Sequence, residues 1–225
     1  MAASADKAYE LLKQGVVGGT YAPGAQLKEE HLARALEISR TPVRAALKRL
    51  VEDGLATADP GRGVRVAEWN DFDIQETFEL RGLLEGHAAE LAARRAGAAL
   101  AERLDALNDD MERAIAEGGP ELANRLQVTN SQFHRAILEA SGSPRLRAML
   151  AGLIDMPIVI RSHFISTVQD KLQSLHHHRD LAAAVRAGDG ELAKQVMQLH
   201  LRIAAHRFKR QRTEFSASHQ AGDAS

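Results

Sequence analysis

Four side chains in the second half of this chain have the types and the spacing to hold a metal ion. Asn130 and His134 lie four residues apart, so on a helix they share one face. His178 closes the run His176-His177-His178, and His200 falls in the last stretch of helical pattern. Three imidazoles and one amide oxygen, brought together from three helices, form a donor set that suits zinc, nickel or another divalent transition metal. Histidines on helices also serve as surface residues or as hydrogen-bonded members of a core, and spacing alone leaves both readings open.

A second group, in the first half, has the types to meet an anion. Arg40, Thr41 and Arg44 stand at the start of the stretch from Ser39 to Leu50. Thr41 can cap a helix there, and Pro42 fits the first helical position, where no N–H is missed. Val43, Leu47, Leu50 and Val51 recur at helical spacing and predict a buried stripe behind the arginines. A helix N-terminus already carries partial positive charge, so two more cations beside it favour an anion supplied from outside. A DNA phosphate meets that need. Solvated surface arginines are the competing reading, and the surrounding elements decide between them.

Lys28 to Leu36 predicts a short helix with Leu32, Ala33 and Leu36 on one face, and a few residues lead from it into the basic helix. This is helix-turn-helix spacing. Ala8, Leu11, Leu12 and Val16 predict a helix further upstream, ended by Gly18-Gly19. Leu55 to Ala58 and Val64 to Val66 read as strands joined by the turn residues Asp59-Pro60-Gly61-Arg62-Gly63. Three helices followed by a two-stranded wing with Arg62 at its tip are a winged helix-turn-helix.

The boundary with the rest of the chain is expected at residue 68. From 69 to about 212 no strand pattern appears. Helices are expected near 71–96, 99–117, 121–140, 144–163, 166–187 and 190–211, with breaks at Gly97, Gly118-Gly119-Pro120, Ser141-Gly142-Ser143-Pro144 and Gly188-Asp189-Gly190. The fold class is therefore mainly α: an N-terminal winged helix-turn-helix over 1–68 and a C-terminal antiparallel bundle of six or seven helices over 69–212. Residues 213–225 are small and polar and are expected to form a disordered tail.

Composition bounds the function. The chain has 225 residues, no cysteine and a net charge of −1. Disulfides and thiolate metal sites are excluded. No apolar run approaches the roughly 18 residues of a membrane span, and the N-terminus carries no apolar signal core, so a cytoplasmic protein with no membrane partner is expected. The neutral total hides an uneven field: between Arg40 and Arg65 basic residues outnumber acidic ones.

The run YAPGAQLKEEHLARALEISRTPVRAALKRLVEDGLATADPGRGVRVAE resembles the DNA-binding domain of the GntR family of bacterial transcription regulators. Its Pro-Gly turn, its "SRTPVR", the helix after it and the "GRG" wing carry the likeness. The resemblance implies that Arg40, Thr41 and Arg44 contact bases or phosphates. It also implies that Arg34 and Arg49 support on the backbone and that Gly61 and Arg62 form the wing tip. The chain departs from the pattern at Glu37, where relatives usually have glycine, and at Ala45, where they often have glutamate.

Residues 72–210 resemble the helical ligand-binding (FCD) domain of the FadR-type branch of that family, through "FELRGLLEGHAAELAA", "NSQFHRAILEASGSPRL" and "HRDLAAAVRAGDGELAKQVMQLH". The resemblance implies a divalent metal held by Asn130, His134, His178 and His200, and an effector that is a small organic acid or sugar acid. His178 is chosen over its neighbours because it stands eleven residues before Asp189, as His200 stands eleven after it. His176, His177 and His206 are expected at the surface or beside the ligands. Arg81 matches a family position that could meet the effector carboxylate, and a pairing of Arg81 with Glu85 or Glu90 is the equal alternative. Arg161 and His163 could also reach the cavity.

These features together predict a dimeric, ligand-responsive regulator, a repressor by family habit, that binds a short inverted repeat in double-stranded DNA. One alternative is a metal-dependent helical-bundle enzyme, against which stands the lack of any Glu-x-x-His pair or His-Glu-x-x-His. Another is a DNA-binding protein whose bundle only dimerises.

Overall fold

The computed structural model describes residues 2–222 except 18, 60, 152, 155–158, 160, 161 and 163–165. The chain divides into two compact units, one built on Met1–Asn70 and the other on Asp71–Asp155 with Ser162–Ser225.

The first unit contains α1 (Ala2–Val17), α2 (Glu29–Ala35), α3 (Arg40–Glu52), β1 (Ala56–Asp59) and β2 (Gly63–Val66). The strands pair antiparallel with Ala56 opposite Val66 and Asp59 opposite Gly63. Leu12 and Val16 of α1, Leu32 of α2, and Val43, Leu47 and Leu50 of α3 are buried with Leu55 and Val66. This apolar set fixes the three helices and the wing as one body, as the periodicity predicts. On α1 the buried face includes Tyr9, whereas Leu11 is 42% exposed, so the stripe is turned by part of a residue from the expected one.

Two details at the helix-turn-helix differ from expectation. The N-cap of α3 is Ser39 rather than Thr41. Arg40, Thr41 and Pro42 then form the first turn, where the missing N–H of Pro42 still costs nothing because the first N–H groups of a helix lack intrahelical partners. The turn between α2 and α3 places Glu37 at φ 54°, the one non-glycine residue with positive φ among those described. A side chain strains this left-handed conformation. Glu37→Gly is therefore expected to stabilise the first unit by about 1 kcal/mol, read as a higher urea midpoint with an unchanged slope.

The second unit has helices and no strand among its described residues: α4 (Asp71–Glu117), α5 (Leu122–Ala140), α6 (Pro144–Leu150), α7 (Val168–Arg186) and α8 (Gly190–Gly222). Gly97 breaks α4 into two arms, with φ 46° and ψ −128°, a backbone conformation open to glycine. The arms match the two helices expected there. Of the helix expected over 144–163, α6 ends at Leu150 and most of 155–163 lies outside the described residues; the last helix runs on to Gly222 over residues expected to form a disordered tail. Ser143 caps α6 and Thr167 with Asp170 forms a capping box on α7, which sets the start of each helix. The long helix α4 packs against α5, α7 and α8, so side chains from all four meet in the bundle interior. No helix among the described residues is long and apolar enough to cross a membrane.

Candidate functional site

The basic helix α3 presents Arg40, Thr41, Arg44 and Arg49 at the surface, α2 adds Arg34, and Gly61 and Arg62 form the exposed tip of the wing. Arg34, Arg40, Arg44 and Lys48 line an open groove between α2, α3 and the wing. The wing is braced from below, because the Gln26 side-chain amide donates to the Arg62 carbonyl at 2.8 Å. Arg49 is turned the other way. Its guanidinium bonds Asp6 at 2.6 Å and lies 3.9 Å from the centre of the Tyr9 ring. It fastens α1 to α3, a role that sequence spacing did not reveal. Arg40 and Arg44 both meet acidic residues of α2, Glu29 and Glu30.

In the helical unit, His134 from α5, His178 from α7 and His200 from α8 converge. One nitrogen of each lies within 4.8 Å of the others, and all three residues are buried. Ring centres are 5.4 Å apart for His134 and His200 and 4.7 Å for His178 and His200. Phe133 stacks flat on His178 at 4.1 Å and holds that ring in place. Asn130 is buried one turn before His134 on α5. His177 is half-buried with its ring 5.9 Å from that of His200, while His176 and His206 are exposed. Arg161 and His163 lie outside the described residues.

The donors suit a metal. Nε2 of His134 and Nδ1 of His200 are buried with no hydrogen-bond partner among the described residues. An orphaned buried polar atom costs about 1–3 kcal/mol, so it points to a ligand. Burial pushes the His200 imidazole well below its ordinary range, and the facing His178 and His134 rings push the same way. His200 therefore stays neutral, as a metal ligand must.

Arg81 does not point into open space. It is 1% exposed, and its Nε donates to Glu85, one turn further along α4, at 2.6 Å. Glu90 pairs instead with Arg94 and Lys194. The other Glu85 oxygen meets Nδ1 of His134. Burial would raise the Glu85 carboxyl, but the Arg81 charge and the hydrogen bonds from His134 and Arg81 hold it well below the usual carboxylate range. A carboxylate on Nδ1 fixes the ring and leaves Nε2 aimed at its neighbours, the arrangement that orients a metal-binding histidine. Glu85 is thus the site residue that sequence reasoning saw only as a partner for Arg81. Its spacing to Arg81 was visible, whereas its link to His134 spans 49 residues.

Residues 76–203 match the FCD domain, and residues 4–66 match the bacterial regulatory proteins of the gntR family. The chain belongs to the GntR family. A probable D-xylose utilization operon transcriptional repressor of Paenarthrobacter nicotinovorans is 30% identical over 200 residues, covering 88% of this GntR chain and 85% of that protein. The uncharacterized HTH-type transcriptional regulator YdhC of Bacillus subtilis (strain 168) is 33% identical over 110 residues, so this chain matches about half its length, 49%. Among solved structures, E. coli McbR/YncC superposes with a TM-score of 0.69 at 25% identity, covering 94% of this chain and 99% of that one. The first two relatives are named as transcriptional regulators.

Proposed function

We propose that this GntR protein is a dimeric repressor whose α3 enters the DNA major groove and whose helical unit binds a small organic acid or sugar acid through a divalent metal. The observation that carries the second half is the buried trio His134, His178 and His200 with Glu85 behind it. Asn130 completes the ligand set as a neutral fourth donor. The metal, zinc or nickel, supplies open positions for a carboxylate and a hydroxyl oxygen. Arg81 braces the site through Glu85. The first half rests on the exposed Arg40, Thr41 and Arg44 of α3 beside a wing that carries Arg62, with Arg34 at the groove edge. Two copies of α3, one from each protomer, would read the half-sites of a short inverted repeat. Effector binding would change DNA affinity only by its differential affinity for two arrangements of the protein.

A thermal-shift experiment tests the effector half. Zinc or nickel added at about a hundred times its dissociation constant stabilises the folded state by about 2.7 kcal/mol, or roughly 5–10 °C for a chain of this size. Hydroxy acids and sugar acids are expected to add a further shift that chelator abolishes. In the double variant His134→Ala, His200→Ala both shifts should vanish, and a carboxylate response that survives there would remove the metal from the proposal.

A further inference from the structure

Arg44 is held by Glu29 in a side-on fork. Its Nε and Nη2 donate to the two carboxylate oxygens, both at 2.8 Å. Glu29 also reaches Nη2 of Arg40 at 3.5 Å, and Glu30 takes Nη1 of Arg40 at 2.9 Å. The side chains of Arg40 and Arg44 remain 55% and 67% exposed. Exposed ion pairs contribute about 0–1 kcal/mol to stability, so folding gives little reason for a two-point clamp on this surface. The hydrogen bond from Arg44 leads the effects that hold the Glu29 carboxyl below its usual range, so the clamp carries full charge at neutral pH.

The fork consumes one edge of the guanidinium. It leaves the far end, Nη1 and the second Nη2 hydrogen, for another partner. That end has the paired donors that guanine O6 and N7 accept. A guanidinium fixed in plane can read a base end-on while Glu29 stays bound. It cannot swing to a phosphate without breaking two charge-assisted hydrogen bonds. Two carboxylates beside the groove also repel a backbone that offers no base contact in return.

We propose that Glu29 is a positioning residue for DNA reading: it sets Arg44 in a base-reading pose and withholds it from the phosphate backbone. This rests on the DNA-reading role given to α3. The dull alternative is that Glu29 and Glu30 merely favour the first turn of α2, where acidic residues suit the helix dipole. That role would not touch discrimination between DNA sequences.

The test uses the full chain and two duplexes, one selected from a random library by the wild-type protein and one with that sequence shuffled. Glu29→Gln, nearly isosteric, is expected to bind the shuffled duplex about 5–10-fold more tightly. It should bind the selected one no better, so that the affinity ratio falls by about 5–10-fold. On the shuffled duplex the slope of log K against log salt should steepen by about one. In an Arg44→Ala background the same change should leave the ratio unmoved, because the group that Glu29 positions is gone. An unchanged ratio and slope in Glu29→Gln, with the far-UV spectrum intact, overturns the proposal. A library from which the wild-type protein enriches no sequence overturns the DNA-reading assignment itself.

Discussion

Glu85→Ala is expected to lose about 3–5 kcal/mol of folding stability in metal-free protein, because it strands the guanidinium of Arg81 in the bundle interior without a counter-charge. Arg81 is 1% exposed, so it cannot recover its hydration by a small movement. Urea denaturation followed by circular dichroism reads the loss, and a cost under about 1 kcal/mol would mean that water reaches Arg81. The double variant Arg81→Met, Glu85→Leu separates folding from function. It removes both charges and keeps the volume, so its stability should stay close to wild type. Its metal affinity should still fall by about 10–100-fold, since Nδ1 of His134 has lost the carboxylate that orients it. Full metal affinity in the double variant would leave Glu85 a purely structural residue.

Arg44→Ala is expected to weaken operator binding by about 1–3 kcal/mol per half-site, which is roughly 5–150-fold, with little effect on stability. The residue is exposed, and its ion pair with Glu29 is of the kind that adds little to folding. The loss should fall on the operator more than on unrelated DNA, because a base contact carries sequence information and a phosphate contact does not. A gel-shift series on operator and shuffled duplex reads both. Equal binding by variant and wild type would remove α3 from the reading role.

Much of the architecture was legible because helices and turns are written locally. The stripe of Val43, Leu47 and Leu50, the Gly97 break and the strands around Gly61 each depend on residues a few places apart, and each lies in the structure where the pattern puts it. The left-handed turn at Glu37 was also readable, from the glycine that relatives usually have there. Helix ends were less so. Thr41 and Ser39 both have side chains of the capping type, and which one takes the N-cap position depends on how the chain leaves the turn after α2. The helix expected over 144–163 ends as α6 at Leu150, and Gly152, two places on in the sequence, is the stop signal that was passed over.

For the site, the residue types and their spacing narrowed ten histidines to a few candidates. His134, with Asn130 one turn before it, could be found along one helix, but no spacing relates His134 to His178 or Glu85. Periodicity says which face of a helix is apolar, and it carries no information about which faces will meet. The packing of α4 against α5, α7 and α8 brought the three imidazoles together, gave Nδ1 of His134 its carboxylate and withdrew Arg81 from open space. The same distinction holds on the DNA-binding unit. The arginines of α3 and their helical spacing are properties of the chain alone. That Arg44 is forked by Glu29 while Arg49 turns back to Tyr9 follows from how α1 and α2 lie on α3, because side-chain partners are chosen by distance in space.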